Sequence, residues 1–375
     1  MSLPPTQSGT GFLSFNSMPP RIWITADDDM FDEVIFRYWR EEGYDVTYLP
    51  YSGGGKHYFA SLKTLHDDLE LGETYALIAY GGAAAACLKA AIKPMPKLCA
   101  LVAYYPTSLP APKTKYPALL KVIVHIAGSQ ISPAPELLEY KSYRYEAAAE
   151  GFAEHNHPKF NAVEAGLAWS RTLGCVRRGF KRDVDLEGPW IENLKGKFES
   201  EIASQGSLKT VKTMTTTAAP HVTLVPTLTG GIGIKNLEEF YREFFIPSLV
   251  PDFNIRLVSR TIGVDRVVDE MVVSFTHTDE IDWILPDVPP TGKPVEIAMV
   301  SIVGVRGEKL THEHVYWDQA SVLVQVGLLD PNNAPNSMRA KGLKKLPVVG
   351  VESARQVLDV KKDRYNGLLE GLNGA

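Results

Sequence analysis

Residues 311–330, THEHVYWDQASVLVQVGLLD, decide how the second half of this chain is read. The first half of the stretch alternates His312, His314, Tyr316 and Asp318 on one side with Glu313, Val315 and Trp317 on the other, the period of a β-strand. The run 320–329 is apolar on both sides and reads as the buried continuation of the strand. A strand face carrying two imidazoles, a phenol and a carboxylate is too polar for plain core. It meets solvent or lines a cavity.

Three further strand patterns precede it: IRLVSRTIGV (255–264), RVVDEMVVSFTHT (266–278) and PVEIAMVSIVGVRG (294–307). No helix separates them, which predicts an antiparallel sheet. Upstream, 184–204 reads as a polar helix, 210–233 as an irregular Thr-rich link, and 236–245 (NLEEFYREFF) as a compact helix. Asn236 and Glu239 have the spacing of a capping box, and Leu237, Phe240, Tyr241 and Phe244 form its buried stripe. Helices followed by a sheet make this part α+β.

The first half of the chain has a different rhythm. Apolar runs at 21–26, 44–51, 75–80, 98–106 and 119–128 alternate with helical patterns at 29–43, 81–91 and 159–178. That alternation predicts an α/β domain built on a parallel sheet. SGGGK (52–56) lacks the spacing of a phosphate loop and reads as a flexible turn, and TGGIG (229–233) lacks the strand of a dinucleotide fingerprint. The expected organisation is a flexible arm over 1–20, an α/β domain over 21–181, a second domain over 182–332 and a tail over 333–375.

A net charge of −5 gives no electrostatic footprint for nucleic acid or an acidic membrane surface. No run approaches the roughly 18 apolar residues of a membrane span, and the N-terminus has no secretory pattern, so the expected location is cytoplasmic. Cys87, Cys99 and Cys175 have no metal-type spacing and read as buried thiols.

The first domain resembles the dienelactone hydrolase branch of the α/β-hydrolases. The turn IAYGGAAAA (78–86) matches the strand-to-helix elbow that carries the nucleophile in that family, but the nucleophile's place falls on Gly81. The acid's place falls near Gln130 in the loop after HIAG (125–128), and the histidine's place, before a Gly-Phe pair, falls on Glu150. All three triad positions depart from the family. The resemblance therefore implies a scaffold without nucleophilic catalysis, the alternative being a hydrolase whose nucleophile has moved, with His155, His157 or Cys87 as substitutes.

The second domain resembles the SnoaL-like polyketide cyclases, which share the nuclear-transport-factor-two-like cone fold. The residues carrying this are SRTIG (259–263), VVDEMVVSFTHT (267–278), IDWILPDVPPTGK (281–293) and HEHVYWDQASVLVQVGLLD (312–330). The resemblance implies a curved antiparallel sheet with helices enclosing an apolar pocket, and it places the family's proton-transferring Asp on Asp318. Asp269, His277, His314 and Tyr316 are expected in support, with Phe275, Met271, Trp283, Trp317 and Tyr241 as pocket walls. Asp269 has an alternative role as a partner of Arg260 or Arg266, and a one-residue slip would instead bring Glu270 and Glu313 inside. His312 and His314, with His277, have the residue type of a metal set but lack a closing carboxylate.

The expected function is cofactor-independent acid/base chemistry, a cyclase, isomerase or lyase acting on a small hydrophobic carbonyl compound, with no metal. The alternative is a non-catalytic binding or scaffold protein. Either form is expected as a homodimer.

Overall fold

Strands whose two faces are both apolar belong between layers of helices, and YALIAY and LCALVAY are buried at every position. In the computed structural model, which describes residues 18–369, they form the middle of a six-stranded parallel sheet. The arm expected over 1–20 lies outside the described residues as far as residue 17. The chain divides into two compact units, 1–183 and 184–375.

The first unit runs β1 (Arg21–Ala26), α1 (Glu33–Glu41), β2 (Asp45–Pro50), α2 (Gly55–Thr64), β3 (Tyr75–Tyr80), α3 (Gly81–Ala90), β4 (Leu98–Tyr104), β5 (Lys121–Ala127), β6 (Ser142–Tyr145) and α4 (Ala162–Phe180). The sheet order is β2-β1-β3-β4-β5-β6, every pair parallel. Helix ends are capped as the sequence dictates. Asp32 accepts from the Val34 N–H to start α1, and Asn161 accepts from Val163 and Glu164 to start α4.

The second unit contains α5 (Glu187–Phe198), α6 (Ala203–Lys212), β7 (His221–Leu224), β8 (Thr229–Ile232), α7 (Ile234–Phe240), β9 (Asn254–Ile262), β10 (Arg266–Thr276), β11 (Pro294–Arg306), β12 (Lys309–Trp317), α8 (Gln319–Val326), α9 (Asn336–Arg339) and α10 (Glu352–Leu358). Its sheet has the order β8-β7-β12-β11-β10-β9. The sheet is mixed, not purely antiparallel as expected, because β7 joins β12 in parallel. The Thr-rich link thus supplies a hairpin, β7–β8, where irregular chain was expected.

Three other local expectations give way. The apolar run after Asp318 is helix α8 and not strand: the Asp318 carboxylate accepts from the Ala320 N–H, and Gly327, at φ +81°, closes the helix. A run that is apolar on all sides has no period to tell helix from strand. Helix α7 begins at Gly233, so Asn236 and Glu239 form no capping box. The chain then makes a π-helical turn over Tyr241–Phe245, which turns Phe245 inward and leaves Phe244 about half exposed. In the tail, α10 packs along β11 with Ala354 fully buried, and Ser321 on α8 donates to the Gly350 carbonyl at 2.6 Å.

A bulge sets the facing of β12. Val305 pairs with Leu310 but Gly304 pairs with His312, so Thr311 is an extra residue. Leu310 is buried and points inward; after the bulge it is Glu313, Val315 and Trp317 that are buried. Without the bulge, His312, His314 and Tyr316 would have faced inward.

Candidate functional site

Helix α5 carries Trp190, Leu194, Lys197 and Phe198 at positions i, i+4, i+7 and i+8, one face of a helix with a single cation in it. This face covers the inward side of the sheet. Between the two lies a cavity of about 260 Å³. Its apolar wall is aromatic, with Phe198, Tyr241, Phe245, Phe253 and Trp283 in edge and tilted contacts at 4.8–6.0 Å.

Two hydrogen-bonded sets of polar groups border the cavity. Asp269 on β10 stands opposite Arg260 on β9 and opposite Ser301 on β11. The Arg260 guanidinium clamps both Asp269 oxygens, at 2.7 and 2.8 Å, and the Trp190 indole donates to Asp269 Oδ2 at 2.7 Å. Arg260 reaches Glu187 as well, at 2.8 Å. The two carboxylates hold the guanidinium firmly in its charged form.

The second ion pair is deeper. Lys197 is 3% exposed and its ammonium contacts Glu313 Oε2, while Ser301 donates to Glu313 Oε1 at 3.1 Å. The Lys197 nitrogen also lies 4.9 Å from the Trp190 ring centre and 5.5 Å from that of Tyr241. Burial pulls the lysine below its ordinary value, and the charge of Glu313 only partly restores it.

Two donors at the cavity wall are unspent. The Tyr241 hydroxyl and the Trp283 indole N–H have no hydrogen-bond partner in the protein, although the residues are 1% and 3% exposed. Burial, reinforced by the charge of Glu313, pushes the Tyr241 phenol well up, so it stays a donor. Buried donors without acceptors cost free energy, about 1–3 kcal/mol each, unless a bound molecule meets them.

The sequence-derived residues divide sharply. Asp269, Met271, Tyr241 and Trp283 line the cavity. Phe275 stacks behind Phe253 at 6.1 Å, and Trp317 meets Trp283 edge-on at 6.2 Å with its indole N–H given to Gln319. Asp318 does not line the cavity: the strand ends at Trp317, and the carboxylate is exposed and occupied in capping α8. Tyr316 is 42% exposed on the opposite face. His314 is on that face too, its Nε2 at 3.3 Å from that of His221, with the His312 ring alongside. His277 is buried beyond the end of β10, where its Nδ1 is 3.0 Å from the Thr291 hydroxyl and braces the loop back to β11. It therefore joins neither the cavity nor the other histidines, and among the described residues no group of three ligands is placed to hold a metal.

In the first unit, the positions where the hydrolase resemblance would put a triad, Gly81, Gln130 and Glu150, are packed, hydrogen-bonded or exposed. Gly81 has φ +56°, the strained turn between β3 and α3, and a Cβ there would come 2.4 Å from the Asp27 carboxylate. Asp27 accepts from the Gly82 and Ala83 N–H groups at 2.9 and 3.1 Å, so the first N–H groups of α3 are taken up by a side chain of the same unit. Gln130 folds back on the Ala127 N–H and the Pro106 carbonyl, and Glu150 is exposed. Cys87 is buried, bonded to the Tyr58 hydroxyl, and its thiol is pushed up to about 12 by desolvation, which makes it inert as a nucleophile. His155 is held by Asp32 at 3.0 Å.

No family model and no curated protein matches the chain. Among solved structures, it is similar to a SnoaL-like polyketide cyclase candidate from Jannaschia, at 16% identity over 40% of this chain and 99% of that one, with a TM-score of 0.31. TsrD from Streptomyces laurentii gives 16% identity over 39% of this chain and 100% of that one, with a TM-score of 0.31. IdmH from Streptomyces antibioticus, a polyketide cyclase candidate, gives 23% identity over 37% and 98%, with a TM-score of 0.28.

Lys197, Ser301 and Trp190 were missed from sequence. Lys197 had a signal, a lone cation within the apolar face of α5. Glu313 had one too, as the acid sharing a strand face with Val315 and Trp317.

Proposed function

We propose that the second unit binds a small hydrophobic carbonyl compound in its cavity and moves a proton at the carbon beside the carbonyl. The observation that carries this is the Lys197–Glu313 pair opening onto an apolar cavity. Glu313 is the base. It takes the proton, and the ammonium of Lys197 beside it then faces the negative charge that develops on the substrate. The Tyr241 hydroxyl and Trp283 N–H supply donors for the enolate oxygen, where they cost nothing extra to organise. Ser301 keeps the carboxylate oriented. Asp269, with both oxygens taken by Arg260 and Trp190, holds the polar wall in place and is no base.

Such chemistry is that of a cofactor-independent isomerase or cyclase. The test is a titration with aryl ketones, following tryptophan fluorescence for binding and mass spectrometry in deuterated water for exchange of the α-hydrogens. The reading expects quenching together with exchange above the buffer rate. Binding without exchange would make the unit a carrier, and no binding would remove the proposal altogether.

A further inference from the structure

We propose that Lys197 acts as a covalent nucleophile, condensing with an aldehyde or ketone carbonyl in the cavity to form an iminium. The inference rests on the reading above in one respect only, that the cavity accepts a carbonyl compound.

The geometry supplies each requirement of the reaction. The nitrogen is out of bulk water, and its position is fixed from two sides by the Trp190 and Tyr241 rings at 4.9 and 5.5 Å. The carboxylate in contact with it, Glu313, is a ready proton acceptor, and Ser301 holds that carboxylate from its other oxygen. Desolvation weakens the hold of the amine on its proton, the direction a nucleophilic lysine needs. Exposed lysines of this chain have no such environment.

The step balances without any further reagent. Glu313 takes one proton from the ammonium, and the amine adds to the carbonyl carbon as the C–O π bond breaks onto oxygen. The nitrogen loses a second proton and the oxygen gains two in all, one of them returned by Glu313. The C–O bond then breaks, water leaves, and the C=N bond forms. The net change is ammonium plus carbonyl to iminium plus water, with Glu313 again a carboxylate. An iminium acidifies the neighbouring carbon more than a carbonyl does, so the same base would serve it.

The experiment uses the full chain and a naphthyl β-diketone, which condenses with an unprotonated amine to a stable enaminone without a reductant. Binding is read independently from quenching of the tryptophan fluorescence, and peptide mapping locates the adduct. The inference expects one adduct, on Lys197, lost in Lys197→Arg and formed more slowly in Glu313→Gln, with circular dichroism unchanged in the variants. Quenching with no adduct on Lys197 in the native chain overturns the covalent step and leaves the cavity reading standing. Neither quenching nor adduct overturns both. Because the native chain decides the outcome, a variant that fails to fold does not protect the inference.

Discussion

Asp318 and Glu313 are two acids five residues apart with opposite fates, and each has its own prediction. Asp318 is a helix cap, so Asp318→Ala should lower stability by about 1 kcal/mol in chemical denaturation, and Asp318→Asn by much less. Neither should change ligand binding in the cavity. Glu313 is half of a buried pair, and removing either partner strands the other charge. Glu313→Gln or Lys197→Met alone should cost about 3–5 kcal/mol, and the double replacement clearly less than the sum of the two. Additive losses in the double-mutant cycle would mean the two groups do not interact in solution.

How much of this was legible in the sequence follows from the same residues. Asp269 and Met271 could be placed inside because β10 alternates without interruption along its apolar face. Arg260 could be named only together with Arg266 as a partner of Asp269, and the register of β9 against β10 selects Arg260. Glu313 could not be preferred over His314, because the choice depends on Thr311 being a bulge, and one extra residue exchanges the faces of everything after it. Lys197 lies on a helix more than a hundred residues from its partner, and nothing local links the two. In the first unit, the resemblance drawn from sequence put no nucleophile at Gly81. That Asp27 packs against this turn and accepts from the Gly82 and Ala83 N–H groups needed the fold.

Elements, more than residues, decide which groups can reach the cavity. The bulge at Thr311 depends on the closeness of β11 at Gly304, where a Cβ would come 2.2 Å from the His312 ring. Gly304→Val should therefore destabilise the second unit by about 1–3 kcal/mol and, by disturbing the register, reduce ligand quenching as well. The elbow between β3 and α3 makes the corresponding case in the first unit. Gly81→Ser puts a side chain at φ +56° against Asp27, so it should cost stability without conferring ester hydrolysis. Hydrolysis of an aryl acetate by that variant, absent from the native chain and from Gly81→Ala, would contradict this.

At the scale of the molecule, both units bury imidazoles in neutral form. Burial holds His125 of the first unit down to about 3, and His312 of the second down to about 4, against 6.5 when unfolded. The unfolded chain takes up these protons first as pH falls, so stability present above about 6.5 is lost on acidification through the window down to the folded values. For fully buried His125 the loss should be of order 2 kcal/mol by about pH 5. Denaturation midpoints at pH 7 and 5 measure it, and His125→Gln should flatten the dependence of the first unit. No helix among the described residues is long and apolar enough to cross a membrane.

The proposed proton transfer belongs to Glu313 inside the cavity and not to Asp318 outside it. Exchange of the α-hydrogens of a bound aryl ketone in deuterated water, compared across the native chain, Glu313→Gln and Asp318→Asn, tests it most directly. The account predicts exchange in the native chain and in Asp318→Asn at similar rates, and a loss of at least a hundredfold in Glu313→Gln, of the order seen when a positioned acid or base is removed. Exchange that survives in Glu313→Gln and disappears in Asp318→Asn would contradict it.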